Sequence, residues 1–398
     1  MRVLCITPYY KPAYVYGGPA RSVPSLCEGM AKLGAQVTVF TTNANGPGRF
    51  LDVVLNQPQH IDGVEVVYFP LSQLLSKAVP FYSKELRRAC NIHVRRFDAV
   101  YIPGNWVYTV LAGAKAAMRE KIPYVVSPRG SLMDWSLSQK AVKKQFYLAL
   151  FERSVINGAA VIHVTTALEL HQLKKLGFQP TAAVIPNGID LPLLVDLPTR
   201  GSLRYSLSVP PDGSLSLFVG RLHKKKRLDL TIEAFARFAK QRSDAHLLIV
   251  GADEDGSRQF AQQQVGRLGL LEQIHFKSLL TGNDLIQAYV DADLLVLLSS
   301  AENFGMVVVE GMAHRLPVIV TREVGLSEEV QQVNAGIVVS AKPEDVSAAW
   351  QKLLDDVDLR EEMGKRAGNL VSERFASDVV ATKMLELLVS IVDKERVH

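Results

Sequence analysis

Long apolar runs are missing from this chain of 398 residues: nowhere do 18 apolar residues stand together, which excludes a membrane-spanning helix. The opening stretch Val3–Thr7 is too short for the core of a secretion signal and reads as a first buried strand. Cysteine is scarce. Cys5, Cys27 and Cys90 fall at no pair or metal spacing, so no disulfide framework is expected and a reducing, cytoplasmic compartment fits. The nine histidines show no HxH or HExxH spacing, and neither a metal ligand set nor any other cofactor is expected. The glycine fingerprint GxGxxG is absent, which speaks against a dehydrogenase. What remains is ordinary globular composition, with 48% hydrophobic and 21% charged residues. The length favours two domains.

Charge is unevenly spread. Residues 1–195 carry 21 Lys and Arg against 11 Asp and Glu, whereas residues 196–398 carry 24 against 29. The front half is expected to meet an anionic partner or lie near an anionic surface. No nucleic-acid partner is expected.

Short apolar runs alternate with longer amphipathic stretches. Strands are expected at Val3–Thr7, Val37–Thr41, Val64–Phe69, Ala99–Ile102, Tyr124–Ser127 and Ala160–Val164. In the back half they are expected at Leu215–Val219, Leu247–Val250, Leu294–Leu298, Val318–Val320 and Ile337–Val339. Most are too continuously apolar for a one-sided sheet, which points to parallel strands covered by helices on both faces. The fold class is therefore α/β, with two Rossmann-like, doubly wound parallel sheets. Between Ile185 and Leu215 the pattern breaks, and Pro186, Gly188, Pro192, Pro198 and Gly201 supply turn chemistry. A domain boundary is placed near 190, giving domains 1–190 and 191–377, with a helix over about 378–398 packing back on the first. Ligands of such sheets bind beyond the carboxyl ends of the strands, so a central cleft facing both domains is the expected site.

Three motifs follow expected strands. Gly220-Arg221-Leu222-His223-Lys224-Lys225-Lys226-Arg227 gathers cations at a strand end. Arg221 can present a planar fork to phosphate oxygens and a lysine adds a point charge; a solvated basic loop is the plainer alternative. Glu302-Asn303-Phe304-Gly305-Met306-Val307-Val308-Val309-Glu310 follows the run DLLVLLSS. A helix starting near Phe304 would aim free amides at an anion. Glu310 would lie about 9 Å further along among apolar neighbours, where a sugar diol is a suitable partner. A dipole-serving Glu302 and an internally paired Glu310 are the alternatives. Gly17-Gly18-Pro19 after the first strand allows a loop to press its amides on a ligand.

This set, GGP near the start, PNGID at the linker, GRLHKKKR and ENFGMVVVE, resembles family 4 of the retaining glycosyltransferases with the GT-B fold. The resemblance spans essentially the whole chain in order, and SPRGSLMDW with KKQFYLALFER resembles a subgroup of polysaccharide or glycolipid assembly. It implies that Arg221 and Lys226 bind the donor diphosphate and stabilise the departing nucleotide. Glu302 then holds donor-sugar hydroxyls, and Phe304, Gly305 and Met306 face sugar and phosphates through their amides. Glu310 grips the ribose, Gly17 and Gly18 close over the phosphates, and the backbone of Phe276–Leu279, with Leu279 at its end, lines the base.

The chain departs from the family pattern at Arg129, where many relatives carry histidine, at Tyr101 and Pro103, where histidine pairs are common, and at Ser278, usually glycine. Arg129 is expected to hold an anionic group of donor or acceptor, or to form a structural ion pair. Asp291-Ala292-Asp293 is read as capping the preceding helix rather than binding metal. Thr166–Glu169 is a capping box with no catalytic role. Lys140, Lys143 and Lys144 accompany Phe146, Leu148, Leu150 and Phe151 on one expected helix, a pattern compatible with an anionic bilayer or with plain core. The expected activity is metal-independent transfer of a sugar, with retention, from a nucleotide diphosphate sugar to a hydroxyl of a glycan or lipid-linked acceptor. A nucleotide-sugar epimerase of the same fold and a non-catalytic subunit are the competing readings.

Overall fold

The computed structural model describes residues 1–139, 141–191, 197–240 and 242–397. The chain divides into two compact units, Met1–Asp190 with the segment from Ala376 on, and Leu191–Phe375.

Among the described residues, the first unit's sheet takes β1 (Arg2–Ile6), β2 (Gln36–Thr42), β3 (Pro58–Ile61), β4 (Val64–Phe69), β5 (Ala99–Pro103), β6 (Tyr124–Ser127), β7 (Val161–Val164) and β8 (Ala182–Val184). Their order is β3-β4-β2-β1-β5-β6-β7-β8. Every neighbouring pair is parallel except β3 with β4. The alternation of side chains along each strand sends one set to each face. Val3, Cys5, Val39 and Val66 pack on one side, with Met30 of helix Pro19–Lys32 and Met384 and Leu388 of helix Ser377–Val397. Leu4, Ile6, Ile102 and Val126 pack on the other, with Leu86 and Ala114 from helices Lys84–His93 and Tyr108–Glu120.

The sequence reading omitted β3 and β8. The first is a polar edge strand, folded back on β4 by Asp62 and Gly63, both in the left-handed region (φ +48° and +81°). Both residues need positive φ for the tight hairpin turn that matches strand twist, which is why Asp-Gly is favoured there.

The second unit's sheet holds β9 (Ser214–Val219), β10 (Ala245–Val250), β11 (Ile274–Lys277), β12 (Leu294–Leu297), β13 (Val318–Thr321) and β14 (Gly336–Val339), ordered β11-β10-β9-β12-β13-β14 and all parallel. Trp350 closes one face: it is fully buried against Phe235 at 5.5 Å, and its indole N–H donates to Ser216 Oγ at 2.8 Å. Strand order reverses between β9 and β12, and in the first unit between β1 and β5. Loops leaving a reversal point in opposite directions open a crevice at the carboxyl ends. The glycine-rich loop follows β1, the basic loop follows β9 and the acidic motif follows β12. Three of the motifs thus leave strands at the two reversal points.

Candidate functional site

In the second unit the loops after β9 and β12 are tied together by backbone. Ser300 N donates to Lys225 O at 2.8 Å, and Glu302 exchanges backbone hydrogen bonds with Glu323 and Gly325 at 3.0 and 2.8 Å. These ties hold Glu302 opposite the cations. Lys226, 8% exposed, ends a short turn Lys224–Lys226, and its ammonium is ion-paired to Glu302 Oε2. Burial pushes the Glu302 carboxyl up, but Lys226, Lys225 and Arg221 outweigh it and hold it below the ordinary value. Burial draws the Lys225 ammonium down. Arg221 stays exposed and meets Glu254 at 2.7 Å; such a surface pair is weak and readily exchanged for a ligand anion.

The helix of the acidic motif begins at Met306, two residues after the expected start, and runs to Ala313. The shift has a packing cause. Phe304 is 3% exposed and sits edge-on to Phe375 at 5.9 Å, so its side chain belongs to the core. Gly305 turns the chain at φ +90° just before the helix; a side chain there would be strained and would touch Val308 and Val324 at 3.4 Å. Glu310 lies about 6 Å along this helix. It is half-buried, and its Oε2 accepts the Tyr289 hydroxyl at 2.7 Å. Tyr289 in turn stacks on His314 at 4.9 Å. One oxygen of Glu310 is therefore internally paired. Leu279 follows β11 and is 62% exposed.

The Asp291-Ala292-Asp293 reading needs correction. The two carboxylates do not cap the preceding helix. Asp291 accepts the backbone N–H groups of Gly201, Leu203 and Arg204, capping the start of the short helix Ser202–Ser206. Asp293 is ion-paired to Arg200 and Arg204 and accepts Leu215 N at 2.7 Å. Orphan amides and two arginines arrive from a segment distant in sequence, so neighbourhood along the chain misleads here.

In the first unit Gly17 (φ +76°) and Gly18 lead into helix Pro19–Lys32. Arg129 follows β6 at φ +50°. Its Nη1 donates to Ser22 Oγ at 2.9 Å and Asn187 Oδ1 at 2.8 Å, and its Nη2 to the Tyr101 hydroxyl at 2.9 Å. Nε is buried and has no partner among the described residues. Tyr101 meets His163 Nδ1 at 3.1 Å, and His163 Nε2 meets Ile185 O at 2.7 Å. A carbonyl only accepts, so Nε2 carries the proton, Nδ1 accepts from Tyr101, and Tyr101 accepts from Arg129. Burial, reinforced by Arg129, pushes the His163 pKa down to about 3, so the ring is neutral. Glu169, 3% exposed, accepts Gly130 N at 2.5 Å and Thr165 N at 2.8 Å, which fixes the turn after Arg129.

The sequence reading did not give Asn187, His163 or Glu169 this work. The motif PNGID contains Asn187, but as turn chemistry it carried no sign of a partner on β6. Lys140 and the side chain of Lys143, parts of the basic pattern, lie outside the described residues. Lys144 is taken up internally: its Nζ donates to Ser136 O at 2.5 Å and sits 5.6 Å from the Trp106 ring centre. Phe146 and Leu150 of that pattern are 68% and 54% exposed. Among the described residues no helix is long and apolar enough to cross a membrane, and no three His, Cys, Asp or Glu side chains gather as a metal cluster.

Residues 17–188 match the glycosyl transferase 4-like domain, and residues 200–369 match the glycosyl transferases group 1 model. An uncharacterized glycosyltransferase of Methanocaldococcus jannaschii is 28% identical, with 97% of each chain covered. The D-inositol 3-phosphate glycosyltransferase of Kineococcus radiotolerans is 26% identical over 93% of this chain and 90% of its own. Among solved structures, Anabaena HepE in complex with UDP-glucose superposes with a TM-score of 0.74 at 20% identity, covering 98% of this chain and all of that one. The sucrose-phosphate synthase of Thermosynechococcus elongatus gives 0.76 at 19% identity, covering 99% and 100%. Two units with reversing parallel sheets, both family models in order and near-complete alignment with such relatives lead to one conclusion: the chain belongs to the group 1, family 4-type glycosyltransferases of GT-B fold.

Proposed function

We propose that this chain moves a sugar from a nucleotide diphosphate sugar to a hydroxyl, with retention at the anomeric carbon and without a metal ion. The observation that carries the reading is the Lys226–Glu302 pair, placed where the loops of β9 and β12 diverge and beside the start of the helix bearing Glu310. Arg221, Lys226 and the first amides of helix Met306–Ala313 supply positive charge where a departing diphosphate gains negative charge. Glu302 holds hydroxyls of the donor sugar. The other carboxylate oxygen of Glu310, Oε1, suits a ribose hydroxyl. Gly17 and Gly18 approach the phosphates through backbone, and Leu279 borders the base. Arg129 keeps Nε available for an anionic group of donor or acceptor. Same-face attack, with a donor phosphate oxygen receiving the acceptor proton, needs no protein nucleophile.

The complexes of HepE with UDP and with UDP-glucose make UDP-glucose the first donor to test. A role in polysaccharide or glycolipid assembly, with peripheral attachment through the exposed Phe146 and Leu150, belongs to the same reading.

A thermal-shift screen of UDP-, GDP- and ADP-sugars tests it, followed by NMR of the product's anomeric configuration in EDTA. The reading expects one base to stabilise the chain strongly and the product to keep the donor's configuration. Inverted product, or turnover abolished by EDTA, overturns it. Accumulation of an epimer without acceptor favours the epimerase.

A further inference from the structure

The crossing of β5 into helix Tyr108–Glu120 passes through Gly104-Asn105-Trp106-Val107, and Trp106 adopts φ +64°, a conformation that a bulky side chain seldom holds. Two bonds hold it there. Trp106 N donates to Glu152 Oε1 at 2.7 Å, and its indole N–H donates to Ser131 O at 3.1 Å. Glu152 ends a π-helical turn, Leu148–Glu152, that interrupts the helical segment around it; such turns re-aim a side chain and are frequent at functional sites.

Glu152 is 2% exposed and Asn105 is 6% exposed, yet Glu152 Oε2 and Asn105 Nδ2 are both buried without a partner among the described residues. The half-buried indole has Tyr147 at 6.0 Å between ring centres, and Tyr147 meets Phe151 at 5.0 Å. Lys144 Nζ, held by Ser136, lies 5.6 Å from the same ring centre, so an aromatic ring, a cation and two buried polar groups come from one loop and the helical segment that ties it down. Below about pH 7 Glu152 keeps its proton and Oε2 can donate, and above it the carboxylate accepts. A sugar hydroxyl donates and accepts at once and so serves Glu152 and Asn105 in either state, while an ionised phosphate only accepts and is repelled by the carboxylate above about pH 7. The C–H face of a sugar ring lies well on indole.

We propose that Asn105, Trp106 and Glu152 form the recognition shelf for an uncharged sugar ring of the acceptor, with Trp106 as the stacking face and Asn105 and Glu152 reading its hydroxyls. The inference rests on the glycosyl-transfer reading and narrows its acceptor to a neutral glycoside.

The test uses the full chain with Trp135 replaced by Phe. Of the three tryptophans, Trp350 is fully buried, so ligand-dependent fluorescence then reports Trp106. At pH 8.5, with the nucleoside diphosphate (UDP, GDP or ADP) that stabilises the chain most present at saturation, the chain is titrated with p-nitrophenyl α- and β-glycosides of glucose, galactose, mannose and N-acetylglucosamine, and separately with D-myo-inositol 3-phosphate. At least one neutral glycoside is expected to quench saturably, and the inositol phosphate is not. In N105A and E152A the glycoside Kd rises tenfold or more. E152Q, whose amide oxygen still holds Trp106 N, loses affinity as well, a result that a purely structural Glu152 would not give. Affinity for that nucleoside diphosphate stays within twofold in all three. Quenching by the inositol phosphate alone, no quenching by any glycoside, or wild-type affinity in E152Q overturns the shelf. Binding of none of UDP, GDP and ADP by the parent chain would instead sink the glycosyl-transfer reading.

Discussion

Lys226 and Glu302, 76 residues apart in the chain, form an ion pair with side chains only 11% and 18% exposed. Each is the other's main compensation in the free protein, so a donor that engages both must share or replace that pair. Removing one partner leaves a largely buried charge alone. K226M and E302Q are each expected to destabilise the second unit by about 2–4 kcal/mol. The double variant K226M/E302Q regains most of this, because no lone charge remains. Turnover should fall at least 100-fold in all three. Urea unfolding and steady-state kinetics with UDP-glucose separate the outcomes, and recovery of turnover in the double variant would refute the roles given to both residues.

Glu310 divides its carboxylate. Oε2 is held by Tyr289, which fixes the side chain, and the proposed function gives Oε1 a ligand. Under the proposed reading that ligand is a ribose hydroxyl. E310A should weaken UDP binding by roughly 10–100-fold, in line with loss of charge-assisted hydrogen bonds. It should also erase the preference for UDP over 2′,3′-dideoxy-UDP. Y289F, which frees the carboxylate without removing it, should cost about 1 kcal/mol of stability and change UDP affinity only a few-fold. Calorimetric titration of the two nucleotides against each variant checks this; a retained ribose preference in E310A sinks the assignment.

The sign of one pH effect is fixed by Glu152. Burial raises its pKa from 4.5 to about 7, with the Trp106 N–H pulling modestly the other way. Between these values the folded chain holds a proton that the unfolded chain has released. The contribution of Glu152 to stability is therefore complete below pH 4.5 and is lost as pH rises through 7. E152Q cannot release that proton. The stability of E152Q relative to the unaltered chain should improve between pH 4.5 and 8, by on the order of 2–3 kcal/mol at most. Urea unfolding of both chains across that range measures it, and a constant difference would show that the group titrates normally.

What the sequence disclosed, and what it hid, follows from the range of the interactions. Runs such as Leu294–Leu297 and Val318–Thr321 are buried on both faces, so apolar continuity alone located them within about two residues. The cations of the loop after β9 and the carboxylates around Gly305 were visible because each motif is local. Partners were not visible. Glu152 reads as one acidic residue in an amphipathic stretch, and its ligand is a backbone N–H at position 106. The pairing of Glu310 with Tyr289 crosses from one helix to another. Asp291 and Asp293 serve a segment about 90 residues earlier. The strand β3 was hidden by its polar composition, although the Asp62-Gly63 turn that makes it was written in the sequence.

Arg129 puts the distinction between holding and acting to a direct test. Its two Nη groups join Ser22 on the first helix, Tyr101 on β5 and Asn187 after β8. One ammonium cannot reach three such acceptors in a fixed fork. R129K should therefore lower the melting temperature of the first unit and reduce turnover at least tenfold, although the charge is kept. Y101F removes one acceptor of the fork and leaves His163 Nδ1 without its donor, at a cost of about 1–2 kcal/mol. It leaves Arg129 its other two partners and its charge. If Arg129 serves an anionic group of donor or acceptor, Y101F should be destabilised yet keep turnover within a few-fold, whereas R129M should lose both. Calorimetric melting and initial rates on the three variants resolve the matter: equal losses of turnover in Y101F and R129M at comparable melting temperatures would reduce Arg129 to a structural tie.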